Sequence, residues 1–328
     1  MLVQLAPRNW MAKNQHTKWN FLIRLAGTIL SIVLLIYLFY SVGMDELLAN
    51  LKNLSVSRII LVIVLIYVSR LATFGRWHVL LQIESIKVNW KDSLRLTFAG
   101  LFAANFLPTT IGGDVVRLAG AMRLGIGGSL AAASLMVDRL IGMAGMAIVA
   151  PLGLVPVLAN LGELTGNSFH STIFSGGIFF NNKIVLKITA MIQKIISSFS
   201  FWIHHPRYLL LALFFTLIHM LCLFMIIEVL VVGLNEAMPF WKIAGLWSLT
   251  YFITLIPVSI NGLGLQELSF INLFTVFGGI SDPTGLSIAL IIRVLMMIGS
   301  IPGAFFVSSI LSGDTYTKIS QENPLTLE

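Results

Sequence analysis

Residues 140–159 read LIGMAGMAIVAPLGLVPVLA, a stretch without a single charge and apolar on every face. A strand of a membrane barrel alternates apolar and polar positions over about ten residues, and a helix on a soluble protein keeps a polar stripe. This stretch fits neither. Its length matches the roughly 17–25 residues a helix needs to cross the hydrocarbon core. Similar apolar runs begin near Phe21, Arg58, Ser93, Tyr208, Ile243 and Thr284. Composition agrees, with 57% hydrophobic and 11% charged residues, against about 25% charged in soluble domains. The fold class expected is all-α: a polytopic transmembrane helical bundle of about 7–8 membrane segments.

Charge placement gives the domain plan. Residues 1–20 carry Arg8, Lys13 and Lys18 without an acid and precede a long apolar run, which predicts a cytoplasmic basic N-terminus and an uncleaved first span. Residues 41–57 are then expected outside and 76–92 inside, where Arg76, Lys87 and Lys91 cluster. Arg70, near the end of the second span, is read as snorkelling to the interface. Residues 21–312 form one membrane domain. Within it, 160–206 is a connector whose Lys183, Lys187 and Lys194 share one helical face, read as an amphipathic surface helix on the inner side. Residues 313–328 are a polar tail.

Two segments interrupt the apolar pattern in the same way. NFLPTTIGGDVVRL (105–118) and LIPVSINGLGLQEL (255–268) each offer proline, a hydroxyl residue, isoleucine, glycines and an acid in order. Proline removes a backbone donor and glycine loosens a helix, so each should unwind and restart, near Gly113 and near Gly264. Unwound backbone at membrane depth must be buried by protein or reached by water. Two broken or re-entrant helices lining a cavity are therefore expected. Three crossings counted between the breaks place them on opposite membrane sides, as in an inverted repeat with halves 21–159 and 207–312.

Charges beside these breaks are costly in lipid and mark candidate sites. A restarted helix presents free N–H groups, and arginine presents a planar fork suited to phosphate oxygens. The candidate substrate-binding residues are Asn105, Pro108, Gly112, Gly113, Asp114, Arg117, Arg139, Asn261, Gly262, Gly264, Glu267 and Arg293. Asp114 and Glu267 could equally cap their helices, and Glu267 is the first candidate partner for Arg293. Asp138 and Arg139, adjacent ahead of the 140–159 run, read together as the edge of a span. His219 reads as an interhelical hydrogen bonder and not as a partner of Glu228, which faces away from it. Cys222 is the single cysteine, which excludes an internal disulfide and a thiolate cluster. With no metal-ligand spacing, nucleophile triad or nucleotide loop, the expectation is a protein that is not an enzyme, has no cofactor or metal and binds no nucleic acid.

ATFGRWHVLL (72–81), NFLPTTIGGDVVRL, SLMVDRLIG (134–142), IPVSINGLGLQE (256–267) and IIRVLMMIGSIPG (291–303) occur in this order. Together they resemble the flippase-like membrane region of lysylphosphatidylglycerol synthases, over about residues 20–312. The resemblance implies movement of an aminoacylated phospholipid across the bilayer. The soluble domain that attaches the amino acid in bifunctional members has no counterpart after Ile310, so the translocation half is what carries over. The partners expected are membrane lipids, an anionic or modified phospholipid, with a separately encoded lipid-modifying enzyme as a further partner. A secondary transporter of a small anionic solute and a non-transporting membrane partner of such an enzyme are the alternatives.

Overall fold

The computed structural model describes residues 54–82, 88–106, 112–165, 202, 205–256 and 262–307. Among them there is no strand, and eight helices follow one another: α1 (Val56–Leu81), α2 (Trp90–Phe106), α3 (Gly112–Arg123), α4 (Gly128–Thr165), α5 (Pro206–Gly233), α6 (Phe240–Thr254), α7 (Leu265–Val276) and α8 (Asp282–Ile298). A short 3₁₀ turn, Ile301–Gly303, continues α8. α1, α4, α5 and α8 with its continuation to Val307 are long and apolar enough to cross a membrane. Their outer faces expose Ile60, Val64, Ile148, Val155, Phe214 and Leu217, side chains that suit lipid and not water. Inside lie polar residues such as Ser69, Arg76, Thr97, Arg117, Ser134, Asp138, Thr216 and Glu267. The expected helical membrane bundle is what forms.

Each break separates two helices that pack antiparallel, as a helical hairpin. Gly113, at the start of α3, backs onto Gly100 and Ala104 of α2, while Gly120 backs onto Leu96, so α3 runs back along α2. A Cβ on Gly113 would lie 2.5 Å from the Gly100 carbonyl oxygen, so only glycine lets the two helices approach this closely. α7 returns along α6 likewise: Gly262 lies beside Thr254, and Phe270 meets Trp247 edge-on. Gly262 (φ +70°) and Gly264 (φ +75°) occupy the left-handed region this turn needs. α3 and α7 have 12 residues each, about 18 Å of helix against a core of about 30 Å. Neither spans.

The second half repeats the first. α1–α4 and α5–α8 each consist of a long helix, a two-helix hairpin and a long helix. Every close packing exchanges with a counterpart: α1 on α2 with α5 on α6, α3 on α4 with α7 on α8, and α4 on α6 with the end of α8 on α2. α1 and α5 occupy equivalent places and run antiparallel, since Leu54 and Arg58 meet Gly233, Ser69 meets His219 and Gly75 meets Phe215. The halves are thus oppositely directed, as an inverted repeat requires. Between the halves glycines let backbones approach closely. Gly153 of α4 lies backbone to backbone with Gly245 of α6, and Gly303 lies against the Phe98 carbonyl of α2.

Several boundaries differ from the expectation. The run read as a full sixth span, 243–260, is one arm of a hairpin, because α6 ends at Thr254 and the chain turns back. The breaks still face opposite sides, through the antiparallel α1 and α5 and not through a count of three crossings. α1 continues past Gly75 to Leu81, and α4 begins at Gly128, well before the Asp138–Arg139 pair. Because the α2–α3 hairpin returns the chain to its side of entry, α4 runs opposite to α1 and therefore in the direction of α5. The end of α4 and the start of α5 consequently lie at opposite ends of the bundle. The first span, the Lys183 face, the polar tail, Pro108 and Asn261 lie outside the described residues.

Candidate functional site

The site of the first half is organised by Asp138. Its carboxylate is buried, 2% exposed, on the inner face of α4. Oδ1 accepts from Arg76 Nε of α1 at 2.6 Å, and Oδ2 accepts from Nη1 and Nη2 of Arg117 of α3 at 3.2 Å each. One acid thereby ties three helices together. Arg76 reaches further to Thr216 of α5 at 3.5 Å. The Arg117 guanidinium lies 4.2 Å from the Trp77 ring centroid, and the Trp77 indole N–H donates to Ser134 Oγ at 3.2 Å. A cation over an indole face in a dry setting is held by about 2 kcal/mol. Burying such charges is tolerable because each is paired and hydrogen-bonded.

Arg139, the next residue, points elsewhere. Neighbours on a helix diverge by about 100°, so Arg139 faces α3, where its Nε donates to Asp114 Oδ2 at 2.5 Å. Asp114 also lies 3.5 Å from Arg117 Nη1. A cavity of about 120 Å³ opens at this point, walled by Thr73, Thr97, Gly100, Ala104, Gly113, Asp114, Arg117 and Arg139. The Arg139 side chain is over half exposed, whereas Arg117 is buried with its Nε lacking a hydrogen-bond partner.

The second half carries the same device in closed form. Asp114 is the third residue of α3 and Glu267 the third of α7; Arg139 is the twelfth residue of α4 and Arg293 the twelfth of α8. Arg293 Nε donates to Glu267 Oε1 at 2.5 Å, confirming the pairing expected from sequence. Glu267 Oε2 accepts from the Gly264 N–H at 2.8 Å, so it caps α7 as well. Arg293 Nη2 adds bonds to the Gly262 carbonyl (3.3 Å) and to Gln266 Oε1 (3.2 Å). Trp247, Phe270 and Ile292 close around the pair, and Glu267 is 1% exposed.

The candidate residues therefore fall into two groups. Gly113, Asp114, Arg117 and Arg139 meet at the first cavity, with Gly112 at the start of α3. Gly262, Gly264, Glu267 and Arg293 meet at the closed second site. Asn105 belongs to neither: its Nδ2 donates to Ser300 Oγ at 3.0 Å, joining α2 to the end of α8. Three assignments change. Asp138 is the hub of the first site and not the edge of a span. Arg76 is buried in that hub and not part of an interfacial basic cluster. Arg70 does not snorkel: it is the fifteenth of the 26 residues of α1, its Nε is buried, and its Nη2 donates to Met296 Sδ of α8 at 2.8 Å. The signal for Asp138 and Arg76 was present, since SLAAASLMV before Asp138 and WHVLL after Arg76 contain nothing to end a helix. His219 bonds Ser69 Oγ of α1 at 2.8 Å, the interhelical role expected.

The described residues contain no group of three His, Cys, Asp or Glu side chains able to hold a metal ion. No curated protein matches the chain. The family model for the lysylphosphatidylglycerol synthase TM region matches residues 24–303, which takes in both hairpins, the Asp138 hub and both acid–arginine pairs, and the chain belongs to that family.

Proposed function

We propose that the protein moves an anionic phospholipid headgroup between the leaflets of the cell membrane, binding it in the cavity beside α3. The reading is carried by Arg117, a buried arginine on the cavity wall with an unpartnered Nε. Among the described residues Arg76, Arg117 and Arg139 meet two carboxylates there, Asp114 and Asp138, leaving one cation in excess. A phosphate oxyanion would balance it with charge-assisted bonds. Matching acid–arginine pairs in oppositely directed halves suit a path open on one side at a time. A small anionic solute could use the same groups, and family membership favours the lipid. No covalent change of the lipid is part of this role.

Vesicles containing the protein and a headgroup-labelled lipid test it. Exchange between leaflets should quicken for at least one of phosphatidylglycerol, its lysyl ester or a polyprenyl phosphate sugar. Arg139→Gln, a change at an exposed side chain, should slow exchange about tenfold, the worth of one charged hydrogen bond of about 1.4 kcal/mol. No exchange of any of the three would favour the non-transporting partner of a lipid-modifying enzyme. Undiminished exchange by Arg139→Gln would leave transport and remove this site.

The orientation proposed puts the N-terminus in the cytoplasm. In a Cys222→Ala background, cysteine at Ser55, before α1, should react with an impermeant reagent from outside intact cells. Cysteine at Asn89, before α2, should not. The reverse pattern would invert the molecule.

A further inference from the structure

We propose that Arg70 binds a phosphate oxyanion midway between the two breaks, as a second station on a path entered at the α3 cavity; the assignment rests on the translocation reading of that cavity. The other arginines facing the bundle interior, Arg76, Arg117, Arg139 and Arg293, each meet a carboxylate. Arg70 meets a thioether, a weak acceptor, and its buried Nε has no partner. Among the described residues no acid is placed to serve it. Asp114, Asp138 and Glu267 are engaged elsewhere. Glu228 lies nine residues beyond His219, whose bond to Ser69 marks the level of Arg70 on α5, so it is about 13 Å further along the helix. Residues 21–40, 107–111 and 257–261 contain no acid at all.

An uncompensated guanidinium at mid-span is costly and marks a substrate path by default. Its surroundings give the direction of that path. Thr73, one turn along α1, lines the α3 cavity. Asn105, just before the first break, reaches the Met296 carbonyl, and Arg293, one turn before Met296 on α8, holds the Gly262 carbonyl at the second break. Arg70 thus lies between the open site and the closed one. Its chemistry selects a phosphate oxyanion, whether that of a lipid headgroup or of phosphate free in solution.

The test compares wild type with Arg70→Met and Arg70→Lys, and uses Arg95→Gln, an exposed change, as control. Without ligand, Arg70→Met should melt no lower than wild type, because an unbalanced charge is exchanged for a thioether against Met296. Inorganic phosphate should raise the wild-type and Arg95→Gln midpoints, and that shift should fall by half or more in Arg70→Met. In vesicles, exchange of whichever of the three lipids wild type moves should drop at least tenfold in Arg70→Met and recover in part in Arg70→Lys. A phosphate shift that depends on Arg70 while wild type moves none of the three lipids would keep the site for free phosphate and end the lipid reading. Wild-type exchange matched by Arg70→Met would end the present assignment and keep the lipid reading. So would a wild type that phosphate does not stabilise, or an Arg70→Met that melts lower without ligand.

Discussion

Asp138→Ala is expected to unfold the first half more readily than any other single substitution at the site. Among the described residues the aspartate is the one carboxylate paired with Arg76, and it takes two bonds from Arg117. Its removal strands Arg76 and leaves Arg117 only the longer, 3.5 Å ion pair with Asp114. Breaking a buried pair costs about 3–5 kcal/mol through the uncompensated charge left behind, and here a second guanidinium, Arg117, also loses its closer partner. Asp138→Asn should fare little better, since an amide keeps the shape but not the charge. Replacing the whole group is the informative control. Asp138→Leu combined with Arg76→Met and Arg117→Met should recover most of the thermal midpoint in detergent, as apolar replacements of buried triads do, while lipid exchange stays lost. An Asp138→Ala protein that melts with wild type would show that the hub holds nothing.

The second large effect is expected at Glu267 and Arg293, and it should be unequal. Arg293→Ala removes the ion pair and leaves an acid that is 1% exposed, at a cost of about 3–5 kcal/mol. Glu267→Ala removes the pair and also the acceptor that caps α7 at Gly264, adding about 1 kcal/mol. Glu267→Gln keeps the acceptor and should spare that increment. In a double-mutant cycle on thermal stability the two alanine changes should fall short of additivity by about 0.5–3 kcal/mol, the range for residues in contact. Strict additivity would rule out the direct pair. Equal losses from Glu267→Ala and Glu267→Gln would rule out the cap.

Much of this was legible in the chain. The breaks announced themselves through proline and glycine, and Glu267 with Arg293 could be paired because charges in lipid need partners and few were on offer. The Asp138 hub escaped for a physical reason. Hydropathy averages over a helix's circumference, so a charge doublet looks like the end of a membrane segment even when its two members point to different neighbours. Asp138 turns inward to Arg76 and Arg117 while Arg139 turns to Asp114. The same averaging assigned Arg76 to an interfacial basic cluster. Re-entrant helices were among the forms expected for the breaks, yet 243–260 was still read as a full span, because a run of about 18 apolar residues looks alike whether the chain crosses or returns. What decides between them is backbone proximity, as at Gly113 and Gly100.

The glycine contacts between the halves bear on how the chain can be divided. α4 lays its backbone at Gly153 on Gly245 of the other half, and the turn after α8 lays Gly303 on Phe98 of the first. Each half lends its last helix to its counterpart, in the manner of two clasped hands. A nick between 166 and 205 would thus not release two self-sufficient modules. It would yield two fragments, each with a bare strip of main chain where its neighbour's helix belonged, able to regain a closed shape only by finding one another.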